Sequence, residues 1–169
     1  FDGPTVTLDG GDVMQGTPIS NLTQGRSSVE FFNRLGVDAS AIGNHEYDWT
    51  IPVLRERIRQ ARFSWLSANT YSAGTQTIPS WLKPWTLIER DGVKVGVIGL
   101  TTEETPQETR GVNVRSLRFV NGAEVVNRLV PELRRRGADF VIVTAHSGVV
   151  CDRDGTNCRD EMIDWARRM

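Results

Sequence analysis

Lysine is almost absent: Lys83 and Lys94 are the only two in a chain of 169 residues, and arginine supplies the rest of the positive charge. The formal net charge is −1, which removes the electrostatic case for nucleic acid or an anionic membrane as a general partner. Long apolar runs are missing too. Nothing approaches the roughly 20 residues that a membrane-spanning helix needs. Cysteine is confined to Cys151 and Cys158, which bracket a polar loop. A disulfide closing that loop, suited to an oxidising compartment, is favoured over two free thiols. A zinc site is the least favoured reading, because strong zinc signals use four Cys/His ligands at set spacings. Internal repeats and low-complexity tracts are lacking as well.

What is present reads as one globular domain, with 38% hydrophobic and 24% charged residues. The chain opens on Phe1, almost directly on a strand, and stops within a helical pattern at Met169. A single incomplete domain over residues 1–169, part of a longer protein, is therefore expected.

Apolar runs over Thr5–Leu8, Val37–Ile42, Phe63–Ala68 and Asp139–Ala145 predict strands, the last being the clearest buried one. Asp91-Gly92 between Trp85–Arg90 and Val93–Leu100 predicts a hairpin. Helices are expected after the capping box of Ser27 and Glu30, after Thr50, and from Asn121 to about Arg136 with a kink or a shortened N-terminal half at Pro131. A last helix opens beyond Arg159. Gly10–Arg26 and Thr101–Arg110 read as polar loops, and Arg134, Arg135 and Arg136 as a solvated helix end. Strand alternating with helix predicts an α/β fold, a mostly parallel sheet with helices on both faces.

The two histidines of the chain, His45 and His146, each follow an apolar run, as do Asp12 and Asn44. In open α/β sheets ligands bind past the carboxyl ends of the strands. Taken singly, Asp12 and Asn44 are ordinary turn residues and either histidine could be a satisfied structural one. Their coincidence at equivalent strand ends points instead to one site. Carboxylate, amide oxygen and imidazole together suit Zn²⁺, Mn²⁺, Fe or Co. A carboxylate can also bridge two cations of the kind used in phosphoester hydrolysis.

Gly11-Asp12, Gly43-Asn44-His45-Glu46 with Asp48, and Thr144-Ala145-His146-Ser147-Gly148 make the chain resemble the metallophosphatase domain of the bacterial 5′-nucleotidase and UDP-sugar hydrolase family, among the calcineurin-like metallophosphoesterases. The segments Gly16-Thr17-Pro18, Leu66-Ser67-Ala68-Asn69 and Val97–Thr102 support it. The resemblance implies a partial β-sandwich of mostly parallel strands flanked by helices, and two divalent cations in the intact enzyme. It implies that Asp12 bridges them, that Asn44 and His146 hold one, and that His45 faces the phosphoryl group with Asp48 fixing its tautomer. Glu46 is read as structural and Asp9 as a turn or core residue. The family's opening Asp-x-His and closing Gly-His-x-His are not found in this sequence. The chain alone would thus hold at most one cation, weakly, and turn over little.

The implied substrate is a nucleotide or other small phosphoester, in an extracytoplasmic enzyme. Relatives acting on cyclic nucleotides or in sulfur oxidation share these motifs, and a degenerate, non-catalytic binding or structural module is the alternative of another class. Uncovered sheet edges predict an oligomer or a further segment lying over them.

Overall fold

The computed structural model describes residues 3–151, 154 and 159–169. The first parallel sheet is built from β1 (Leu8–Asp9), β2 (Ala39–Ala41) and β3 (Ser64–Leu66), in that order. Helices α1 (Pro18–Leu22) and α2 (Arg26–Leu35) connect β1 to β2, while a 3₁₀ turn (His45–Tyr47) and α3 (Ile51–Gln60) connect β2 to β3. The short strand β4 (Thr70–Ser72) follows. Next comes the expected hairpin, β5 (Trp85–Arg90) and β6 (Val93–Thr101). Asp91 and Gly92 both take positive φ, 49° and 81°, as a tight two-residue turn that follows the strand twist requires. Helices α4 (Thr105–Glu108) and α5 (Gly111–Val114) lead to β7 (Leu117–Phe119), the antiparallel partner of β4. Helix α6 (Gly122–Arg135) then delivers β8 (Phe140–His146), which runs parallel to β6. An antiparallel pair, β9 (Val149–Val150) and β10 (Arg159–Asp160), and helix α7 (Glu161–Arg168) complete the chain.

Three apolar clusters show how these elements stack. Ala39, Leu66, Val95 and Val97 pack between the two main sheets. Val29 of α2 and Leu54 of α3 cover one outer face with Ile42 and Trp65, and α6 with Trp165 of α7 covers the other with Ile98 and Leu100. The result is helix, sheet, sheet, helix. Gly99 permits the close approach of the sheets, since a β-carbon there would meet Cβ of Leu66 at 2.3 Å. At the carboxyl ends a polar seam joins them. Thr101 Oγ1 donates to the Ile42 carbonyl (2.6 Å) and Thr144 Oγ1 to that of Asp9 (2.7 Å).

Several expectations need correction. The region 10–26 is not all loop: Thr17 caps α1 in a reciprocal capping box with Ser20, and Pro18 occupies its first turn. Helix α2 begins at Arg26 after a left-handed Gly25, so the Ser27 and Glu30 box is not its start, and Ser27 Oγ instead accepts from Thr23 Oγ1 (3.0 Å). Thr50 precedes α3 but its side chain makes no capping bond. Pro131 lies inside α6, which continues on both sides of it. Strand β8 is not fully buried. Val141 and Val143 face α6, whereas Phe140 and Ile142 are 60% and 40% exposed, because β6 is its one sheet neighbour among the described residues. The Cys151–Cys158 pairing lies outside the described residues.

Candidate metal and phosphoester site

Past the carboxyl ends of β1, β2, β6 and β8 lies a cavity of about 540 Å³ lined by Asp12, Asn44, His45 and His146, with Thr102, Glu104, Glu108, Ser147, Gly148 and Glu161. Four of the five residues singled out from the sequence thus meet in one place. The fifth, Asp48, stands behind His45.

Asp12 is placed by backbone geometry. It has a left-handed φ of 63°, and its Oδ1 accepts the N–H of His45 at 3.0 Å. Glu46 holds the same turn from inside. Its fully buried carboxylate accepts four amides, from Gly43 (2.6 Å), Asp12 (2.9 Å), Val13 (2.7 Å) and Met14 (3.1 Å). Burial pushes its pKa up to about 7, with the nearby Asp12 charge in the same direction and the amides opposing both. The structural reading of Glu46 therefore holds. So does that of Asp9, whose Oδ2 accepts from Ser40 Oγ (2.7 Å) and Gly11 N–H (2.8 Å).

His146 comes from the end of β8, in register with Thr101. Its Nδ1 is 3.2 Å from the Gly10 carbonyl, which can only accept, so Nδ1 carries a proton. Nε2 faces Asp12 Oδ2 at 3.1 Å. Burial disfavours charge on both partners. Their mutual hydrogen bond and attraction outweigh it, holding Asp12 below the usual carboxylate range and His146 above the usual imidazole value.

His45 is oriented in the same way. Its Nδ1 lies 2.7 Å from Asp48 Oδ2, and Asp48 Oδ1 accepts from Thr109 Oγ1, also at 2.7 Å. A carboxylate on Nδ1 leaves Nε2 as the atom turned to the cavity. Asn44 is 5% exposed, and its Nδ2 donates to the Glu108 carbonyl (3.3 Å), which leaves Oδ1 as its acceptor toward the cavity.

The donor set fits a divalent cation. An imidazole nitrogen and a carboxylate oxygen sharing one cation at about 2.1 Å each stand roughly 3.0–3.4 Å apart, and the Asp12–His146 separation of 3.1 Å falls there. With Nδ1 committed to Gly10, Nε2 can present a lone pair. Among the described residues no third His, Cys, Asp or Glu joins the two as a ligand cluster. Asn44 is the remaining donor from the predicted set.

Sequence reasoning missed Glu104, Glu108 and Glu161. The two acids of the 104–108 segment follow β6 and could have been found by the strand-end rule that found Asp12. Glu161 had no such signal, since it starts a helix.

No family model matches the chain. The UshA protein of Yersinia enterocolitica is 35% identical over 169 residues, covering 99% of this chain and 30% of the relative. A 5′-nucleotidase precursor from Thermus thermophilus superposes with a TM-score of 0.78 at 31% identity, over 86% of this chain and 28% of its own. The calcineurin-like phosphoesterase YfkN of Bacillus subtilis superposes with a TM-score of 0.80 over 98% of this chain and 55% of its own, at 22% identity, a likeness of fold. This chain spans about three tenths of the curated relatives it matches. Sequence kinship over nearly the whole chain and the two-sheet fold agree: the chain belongs to the family of UshA and the 5′-nucleotidases, and spans part of its relatives' length.

Proposed function

We propose that the protein containing this chain hydrolyses phosphomonoesters, most simply nucleoside 5′-phosphates, with divalent cations at Asp12, Asn44 and His146. The observation that carries the reading is the pairing of Asp12 Oδ2 with His146 Nε2 at 3.1 Å, beside a second oriented histidine in the same cavity. A cation held there would supply Lewis acidity for phosphoryl transfer. The chain's own contribution is His45. With Nδ1–H on Asp48, it presents Nε2 to the phosphoryl group, where the protonated ring donates to a phosphoryl oxygen or to the departing alkoxide. Asp48 and Thr109 keep that ring from turning.

Asp12 and His146 with Asn44 furnish one cation site, so the 169-residue chain alone is expected to bind at most one cation weakly and to be nearly inactive. Among the described residues no helix is long and apolar enough to cross a membrane. An extracytoplasmic location is supported by kinship with a protein described as a precursor. The test is phosphate release by the intact protein, stripped with chelator and restored with Mn²⁺, Zn²⁺ or Co²⁺, on a nucleoside 5′-monophosphate and a cyclic nucleotide side by side. Loss of activity in Asp12→Ala and His146→Ala is expected. Full turnover after chelation, or preference for the cyclic substrate, would sink this reading.

A further inference from the structure

Glu161 joins three parts of the site that the sequence keeps apart. Its Oε2 accepts from Ser147 Oγ at 2.6 Å, one residue beyond His146. Its Oε1 accepts the N–H of Glu103 at 2.8 Å, in the loop that leaves β6 next to Thr101, the register partner of His146. The carboxylate can make both bonds at once only because α7 is itself fixed. Trp165, one turn on, is 1% exposed and packs on Gly122, where a β-carbon would stand 2.8 Å from its ring. Its Nε1 donates to Glu103 Oε1 (3.1 Å), which also accepts from Asn121, the N-cap of α6 (3.0 Å). Glu161 is thus an anchored post to which two strand-end loops are tied. β8 has β6 as its one sheet partner among the described residues, so the exit of His146, tied to Gly10 through Nδ1 on one side, is tied here through Ser147 on the other.

We propose that Glu161 is a positioning residue for the cation site, holding the turn after His146 so that Nε2 stays opposite Asp12. This rests on the reading of Asp12 and His146 as cation ligands. A first-turn acid is also favoured by the helix dipole alone, and the two roles separate by experiment. A dipole or packing role lowers the melting temperature without moving cation affinity. A positioning role changes affinity and local exchange together.

The experiment uses the intact protein, titrated calorimetrically with Mn²⁺ alone, alongside hydrogen–deuterium exchange of segments 102–104 and 146–148. Glu161→Met keeps the volume but removes both acceptors. It is expected to speed exchange in both segments and to weaken Mn²⁺ binding about 10–100-fold, the range for lost support of a ligand. Glu161→Gln can accept from Glu103 and donate to Ser147, so it should stay near wild type. Ser147→Thr should do the same, and Ser147→Ala should follow Glu161→Met. Unchanged exchange, or faster exchange with unaltered affinity, overturns the proposal. So does Glu161→Gln proving as damaging as Glu161→Met, which would make the effect one of charge. Absence of Mn²⁺ uptake by the unaltered protein removes the cation reading itself, and this role of Glu161 with it, before any variant is compared.

Discussion

Gly43 stands so close to the carboxylate of Asp12 that a β-carbon on it would lie 2.1 Å from Oδ1. The same oxygen accepts the His45 amide, so the bare α-carbon lets the Asn44-His45 turn wrap around the acid. Gly43→Ala must displace the carboxylate or the turn. A loss of about 1–3 kcal/mol is expected from this overpacking, read as a shifted urea midpoint, together with weaker Mn²⁺ binding. Stability and affinity both at wild-type level would show that the turn can yield.

Glu46 supports that turn from the interior, and its replacement tests how. A Gln side chain has the same size but one accepting oxygen, so amides among Gly43, Asp12, Val13 and Met14 lose their partner. Buried polar groups left unsatisfied cost about 1–3 kcal/mol each. Glu46→Gln is expected to lose about 2–4 kcal/mol in chemical denaturation on that scale, and a neutral result would mean the loop re-forms around the amide.

These two supports explain which parts of the site were legible. Asp12, Asn44 and His45 lie in the turns just past β1 and β2, and His146 is the last residue of β8. Parallel strands bring their carboxyl ends to one edge, so order along the chain stood in for proximity. Glu161 reaches the same cavity from the first turn of α7, across contacts that no local pattern encodes. The fold divides similarly. Asp91-Gly92 dictated its hairpin, whereas β4 and β7 are three-residue strands paired across more than forty positions, Thr70 with Phe119, and only tertiary packing defines them. Ser27 and Glu30 matched a capping pattern, yet the turn ending at Gly25 starts the helix earlier. In β8 the apolar run predicted burial on both faces, and a single neighbouring strand left Phe140 exposed.

The His45–Asp48 contact of 2.7 Å yields a kinetic prediction that rests on the proposed hydrolysis. His45→Ala should lower kcat of the intact enzyme by about 10²–10⁴-fold, the usual worth of a positioned proton-transfer group. Asp48→Asn leaves the ring in place but no longer selects its tautomer, so it should reduce kcat by a smaller factor with KM nearly unchanged. Equal wild-type kcat in both variants would take His45 out of the chemistry.

The last prediction concerns pH and stability, and follows from the position of Glu161 against the cavity wall. Burial raises its pKa above the ordinary carboxylate value, the charge of Glu103 adds to this, and hydrogen bonds from Ser147, Glu103 and Thr102 oppose without cancelling it. A carboxyl group with a raised folded-state pKa binds its proton more tightly folded than unfolded. Its contribution to stability is therefore fully present below the unfolded value of about 4.3 and is lost as pH rises through the raised folded value. Glu161→Gln has no proton to lose there. The melting temperature of wild type minus that of Glu161→Gln, measured in chelator so that no cation intervenes, should fall as pH increases from that range and then level off. A difference that stays constant would mean a carboxyl unshifted by folding, and one that grows with pH would place it in surroundings that favour its charge. Either outcome is contrary to its half-buried position between Ser147 and Glu103.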